Sequence, residues 1–128
     1  MDSALNWDPE NPRESLTIYF QSLPDQQDRA YELSLTKTAE TCPPAVFDAC
    51  RQLVADSNAA LPDRFASLFL LGIHLRRFMS FTEFAELLDD HGSAFAGQPM
   101  YQHLAALMYA GRGAPGDVDQ ALELSRLA

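Results

Sequence analysis

The chain has 128 residues, 47% of them hydrophobic, and a formal net charge of −9. This length and composition predict one folded domain with its own core and exclude a disordered chain. The negative charge disfavours nucleic acid and anionic membrane as partners, and it favours basic or neutral ones.

The termini, the apolar runs and the cysteines favour a cytoplasmic protein. The N-terminal stretch MDSALNWDPENP has neither the basic nor the apolar region of a secretory signal. The longest apolar run lies within Leu68–Leu75 and is shorter than the ~20 residues of a membrane helix. On one helix, Cys42 and Cys50 would lie ~12 Å apart, beyond the reach of a disulfide. We therefore expect reduced cysteines and no membrane association.

The N-terminal half predicts three helices. The first begins at Pro12, with Asn11 as its N-cap and Glu14 completing a capping box. Its SLTIYF stretch would also suit a short strand, although no pairing partner is near. The second covers about Asp25–Glu40, and the third starts at the double proline 43–44 with one apolar face.

The second half opens with a helix that begins at Pro62 and is apolar on almost every side. Such a helix is usually buried on every side, so we predict that it is the central one. The next helix has Ser80 and Glu83 as a cap pair. It ends at Gly92, where a left-handed glycine is expected.

Two further helices complete the chain. One runs from Pro99 to about Ala110, and the last begins at a cap pair formed by Asp117 and Gln120. Because no convincing alternating strand is present, the fold class is all-α, with about seven short helices joined by short links.

An internal repeat connects the helices of the second half. Leu71-Gly72 on one long helix matches Leu104-Ala105 on the other, 33 residues later. The small Ala85 on the following helix matches Ala121, 36 residues later. A period near 34 residues is typical of tetratricopeptide helix pairs.

The last pair resembles the Sel-one-like branch of the tetratricopeptide family. The resemblance is good over Leu104–Ala128 and degenerate over Pro62–Gly92, where RRFMS replaces the glycine loop. Ala105 stands where the family has glycine, and the aromatic residue expected at Met108 is shifted to Tyr109. Glycines reverse the chain where φ must be positive, and Asp117 caps the second helix. The matching residues are Leu104-Ala105, Gly111-Arg112-Gly113-Ala114, Asp117, Ala121 and Ala128.

The resemblance implies a single domain, residues 1–128, built as a tetratricopeptide-like right-handed array of antiparallel helix pairs. The pairs would cover about 62–92 and 98–128, after N-terminal helices at about 12–58. It further implies a non-catalytic protein–protein interaction module without a cofactor. Its groove would have an apolar floor and a basic end that suits a peptide with an acidic group. In that register the partner-binding positions are Phe69, Ile73, Arg76, Arg77, Gln102 and Tyr109, beside Ala106.

Several residues of the proposed surface also have simpler interpretations. Arg76 and Arg77 would complement the dipole at the end of their helix. An acidic stripe at Glu83, Glu86 and Asp90 is either a solvated face or a contact for a basic partner. The last helix carries Leu122, Leu124 and Leu127, which leave self-association through this helix open.

Two other function classes remain as alternatives. A helical regulator of nucleic acid could use Phe65–His91 as a helix-turn-helix, but the charge of −9 opposes it. A small enzyme would need a catalytic constellation that the sequence does not display. GRGAPGD lacks the G-K-[ST] ending of a phosphate loop. His74, His91 and His103 lack metal-binding spacing, so no metal site is predicted.

Overall fold

A computed structural model describes residues 5–24, 29–77, 80–95, 97–98 and 101–127, except the side chains of residues 103, 107, 124, 125 and 127. All regular structure in these ranges is helical, which confirms the all-α class and the number of helices. The SLTIYF stretch lies inside the first helix, so its interpretation as a strand is wrong. The helices are α1 (Pro12–Gln21), α2 (Arg29–Thr41), α3 (Ala45–Ala55), α4 (Leu61–Arg77), α5 (Phe81–His91), α6 (Tyr101–Arg112) and α7 (Asp117–Leu127), with a 3-10 turn at Gly92–Phe95.

The helices are organised in two compact units, Met1–His74 and Leu75–Ala128. The first unit contains α1, α2, α3 and most of α4. The second begins with the last residues of α4 and contains α5, α6 and α7. Of the helices described, none combines the length and apolar character that crossing a bilayer would need.

The first unit has an aromatic core. α1 packs against α3, and the buried rings come from positions at helical spacing. The ring of Phe69 lies edge-on to Tyr31 at 5.7 Å and to Phe65 at 6.2 Å between ring centroids. Such edge-to-face pairs are favourable beyond the area that they bury. Aromatic packing therefore joins α2 to α4.

Helix α4 has the buried position that its sequence predicts. Residues 64–72 are buried without interruption, as expected of a helix that is apolar on every side. The charged residue in this run is Arg64, whose Nε and Nη2 donate hydrogen bonds to the Val54 carbonyl at 3.3 and 2.9 Å. This carbonyl belongs to the last turn of α3, where carbonyls lack partners within the helix. Arg64 thus satisfies a helix end and places positive charge where the α3 dipole favours it.

The start of α1 lies where it is predicted, but the hydrogen bonds of the predicted capping box are wrong. Asn11 is the N-cap and Pro12 is the first helical residue, but the Asn11 side chain makes no capping hydrogen bond. It donates instead from Nδ2 to the Asp8 Oδ2 atom at 3.1 Å. Ser15 Oγ accepts the Asp8 backbone N–H at 3.0 Å and donates to the Asn11 carbonyl at 2.9 Å. The first turn is therefore closed by an Asp8–Ser15 hook, without Glu14.

The interpretation of the end of α5 also changes. Ser80 is the N-cap of this helix but its side chain makes no capping hydrogen bond. Gly92 has a right-handed conformation with φ −59°, so the left-handed C-cap expected there is wrong. A Cβ at this position would lie 2.3 Å from the Tyr101 Oη atom. Glycine is needed because Tyr101 approaches the backbone, and the chain continues into the 3-10 turn.

The two cysteines do not share a helix, so that premise of the disulfide argument is wrong. Cys42 follows the end of α2 and Cys50 lies within α3. Both are free thiols. Burial raises the pKa of the Cys50 thiol to about 12, so it stays protonated and unreactive at neutral pH.

Replacing Leu71 by alanine tests the core position of α4. Leu71 is 0% exposed, so Leu71→Ala should lower the free energy of unfolding by about 2–5 kcal/mol. Urea unfolding followed by circular dichroism measures this loss. Leu33, 57% exposed on α2, is the control, and Leu33→Ala should change stability by only about 0.5 kcal/mol. Equal losses in both variants would contradict the buried position of Leu71.

Candidate functional site

The second unit is built around helix α6. In chain order, α6 lies between α5 and α7, and it packs against both helices. The small residues that the repeat aligns are buried, with Ala85 and Ala105 0% exposed and Ala121 8% exposed. Small side chains allow helix backbones to approach closely, and α6 and α7 form a hairpin across a four-residue link.

The three glycines of GRGAPGD have two different roles. Gly113 and Gly116 have φ of +66° and +86°, which confirms the expected chain reversal at positive φ. Gly111 lies inside α6, and a Cβ there would lie 2.4 Å from the Phe81 Cδ1 atom. This glycine is therefore required by the close approach of α5 to α6.

A bidentate ion pair closes the α6–α7 hairpin. Arg112 Nε donates to Asp117 Oδ2 at 2.6 Å, and Arg112 Nη2 donates to Asp117 Oδ1 at 2.8 Å. Asp117 is only 3% exposed, so this pair is well shielded. The Arg112 guanidinium holds the pKa of the Asp117 carboxyl below its usual value. The pair therefore fixes the end of α6 to the start of α7.

The predicted capping role of Asp117 needs correction. Asp117 is the first residue of α7, and the Gln120 N–H bonds to the Gly116 carbonyl at 3.0 Å. The Asp117 carboxylate points back toward the link, where Oδ2 accepts the Ala114 N–H at 2.9 Å. Asp117 thus organises the turn before the helix and does not cap the helix itself.

The same arginine extends this network to α5. Arg112 Nη1 donates to Asp89 Oδ2 at 3.2 Å, and Tyr109 Oη donates to Asp89 Oδ1 at 2.8 Å. The guanidinium also lies over the Tyr109 ring, 5.4 Å from its centroid. Burial, followed by the bond to Asp89, raises the pKa of the Tyr109 hydroxyl, which stays protonated. Four residues therefore connect three helices.

Sequence reasoning missed Asp89 and Arg112 as members of this network. Asp89 lies near the end of α5, and its side chain is 47% exposed. Its partners lie 20 and 23 residues later in the chain. The only local signal was the spacing of Arg112 and Asp117 across the glycine link.

The six predicted partner-binding residues differ in exposure. Phe69 and Tyr109 are 5% and 2% exposed, and Ile73 and Gln102 are half-buried. Arg76 and Arg77 are exposed at the end of α4. Phe69 and Ile73 belong to the first unit and the other four to the second. Their common groove stays a prediction.

The histidines are in separate surroundings. His74 stacks on the buried Phe47, with 3.6 Å between ring centroids and 12° between planes. His91 is the last residue of α5, and the His103 side chain lies outside the described part of the chain. Within the described part, no group of three His, Cys, Asp or Glu residues could hold a metal ion.

Two surfaces considered from the sequence include exposed residues. Glu83, Glu86 and Asp90 are exposed along α5. On α7, Leu122 is 59% exposed and has Val118, also 59% exposed, one turn before it. The side chains of Leu124 and Leu127 lie outside the described residues, so self-association through this helix stays a prediction.

Comparison of the chain with protein-family models, with curated proteins and with solved structures gave no match. Function is therefore inferred from the helices and their contacts alone.

The close approach at Gly111 predicts a clash in Gly111→Ala. The added Cβ meets the Phe81 ring, at a cost of about 1–3 kcal/mol, whereas alanine gains up to about 1 kcal/mol in helix propensity. We expect a net loss of about 1–2 kcal/mol in urea unfolding. Gly97→Ala is the control, because no atom lies within 4 Å of its Cβ position. Adding Phe81→Leu should recover part of the loss, and no recovery would contradict this contact.

The ion pair at Asp117 predicts a dependence of stability on pH. The folded-state pKa of Asp117 is lowered. The stability that the ionised carboxylate contributes is therefore present above the unfolded-state pKa and is lost as the pH falls through the folded-state pKa. Asp117→Asn should therefore lower Tm at pH 7, and its difference from wild type should narrow below about pH 4. Thermal unfolding from pH 7 to pH 2 measures this. Asp119→Asn removes an exposed carboxylate from the same turn, and an equal narrowing there would contradict the assignment to Asp117.

Proposed function

We propose that this chain is a non-catalytic protein–protein interaction module of the tetratricopeptide-like type, in its Sel-one-like branch. The proposal includes a cytoplasmic location and no cofactor. The observation that carries it is the α6–α7 hairpin. Both of its helices carry buried alanines, its link has two glycines at positive φ, and its ends are joined by Arg112 and Asp117. Helix pairs of this kind stack into arrays that bind partners on their surfaces.

The proposed contact for the partner is the C-terminal end of α4. Arg76 and Arg77 are exposed there, and the half-buried Ile73 precedes them by one turn on the same face. Arginine presents a planar fork of donors that binds carboxylates with two hydrogen bonds. We therefore propose a partner segment that combines an acidic group with an apolar residue.

The other predicted contact residues have supporting roles in this proposal. Phe69 and Tyr109 are nearly fully buried, so they would shape the helices that carry the contact surface. Gln102, half-buried on α6, would offer a polar contact.

The arginine pair is tested by comparing two double variants with wild type in affinity capture and quantitative mass spectrometry. Arg76→Ala/Arg77→Ala should reduce the captured partner about tenfold, which corresponds to about 1.4 kcal/mol. Arg29→Ala/Arg126→Ala removes the same charge from two other exposed positions and should retain the partner. Circular dichroism should show that both variants are folded.

The partner identified in this way is then titrated as a purified protein by calorimetry. The same tenfold difference in Kd between wild type and the Arg76/Arg77 variant is expected. Equal affinity would refute the contact at α4. An equal loss in the Arg29/Arg126 variant would assign the effect to net charge and also refute it.

A further inference from the structure

A groove of about 470 Å³ lies between α1 and the irregular segment before it, in the first unit. Its volume is in the range of ligand-binding clefts. The Asp8–Ser15 hook holds the segment beside the helix, because the Asp8 N–H bonds to the Ser15 Oγ atom at 3.0 Å. The lining residues are Asn6, Asp8, Asn11, Glu14, Ser15, Ile18, Tyr19 and Ser22.

The charge of this α1 groove is negative. Asp8 and Glu14 contribute carboxylates, and no lining residue is cationic. The Asp8 carboxylate accepts hydrogen bonds from Asn11 Nδ2 and from the Glu10 N–H, and both lower its pKa, so it is ionised at neutral pH. Arg13, the basic residue of α1, is paired with Asp56. Neither carboxylate of the groove is therefore neutralised by Arg13.

The groove also contains an apolar contact that is independent of its charge. Ile18 is 61% exposed, the largest exposed fraction among the large apolar side chains described. It lies one turn after Glu14 on the same face of α1. An exposed isoleucine beside carboxylates suits a side chain with an aliphatic stem and a cationic head.

We propose that the α1 groove binds an arginine side chain of a partner protein segment. The stem of the arginine packs on Ile18, and its guanidinium bonds to Glu14 and to the outer face of the Asp8 carboxylate. Arginine fits better than lysine because its planar fork of donors matches carboxylate oxygens, whereas the lysine ammonium is a point charge. The net charge of −9 attracts such a basic segment. This proposal is independent of the repeat resemblance and of Arg76 and Arg77.

The test is a titration of the full chain, labelled with 15N, with the peptide acetyl-Gly-Arg-Gly-amide, followed by NMR. The matched probe has citrulline in place of arginine, which keeps the shape and removes the charge. Amide shifts should concentrate at residues 6–22, and citrulline should weaken binding about tenfold because both charged contacts are lost.

Variants in the groove are compared with matched variants outside it. Glu14→Gln should weaken arginine binding about threefold, whereas Glu40→Gln, which removes an exposed charge from α2, should leave it unchanged. Ile18→Ser should also weaken binding, whereas Leu33→Ser, at a residue 57% exposed, should not. All four sites are exposed, so the variants should fold.

Three outcomes would overturn the proposal. Equal affinity for the arginine and citrulline peptides would show that charge is not recognised. Shifts outside residues 6–22 would place the binding elsewhere. Equal weakening by Glu14→Gln and Glu40→Gln would show attraction by net charge alone. The expected pattern, with loss only in the groove variants, would support the site.

Discussion

The burial of α4 is the constraint on which the first unit depends. Residues 64–72 are covered on all sides, so every neighbouring helix must present apolar or aromatic side chains to them. The Phe65, Phe69 and Tyr31 rings meet this requirement by edge-on packing. A charged residue can enter such a run only with strong partners, which Arg64 finds at the exposed carbonyl end of α3. Burial ends at Arg76 and Arg77, which are exposed at the end of α4.

The second unit depends more on backbone proximity than on aromatic packing. Gly92 and Gly111 have no Cβ because Tyr101 and Phe81 occupy that space. Gly113 and Gly116 are required for a different reason, the sign of φ. With the helices this close, the Arg112–Asp117 pair is shielded and can hold the hairpin in one geometry. The glycines and the ion pair therefore act together, since the turn brings the two side chains within reach.

Helical periodicity predicted the number of helices, their approximate bounds and the burial of α4, because each depends on residues close in sequence. The predictions that failed concern residues whose hydrogen bonds and contacts depend on the three-dimensional structure. The Asn11 side chain bonds to Asp8, and Ser15, not Glu14, bonds to the Asn11 backbone in the first turn. Gly92 matched a C-cap pattern, but its reason lies at Tyr101, nine residues later. The α1 groove could not be predicted from the sequence either, because it depends on the Asp8–Ser15 hook between α1 and the segment before it.

The net charge of −9 does not describe each surface, because acidic and basic side chains are distributed unevenly along the chain. Asp56 is paired with Arg13, whereas Asp89 and Asp117 share Arg112 and keep one negative charge between them. The two proposed contacts accordingly differ in the sign of their local charge. The α1 groove is negative beside an exposed isoleucine, whereas the end of α4 is positive. Screening in physiological salt limits the influence of distant charges to about 8 Å. The two proposed contacts would therefore depend more on the charges beside them than on the overall charge.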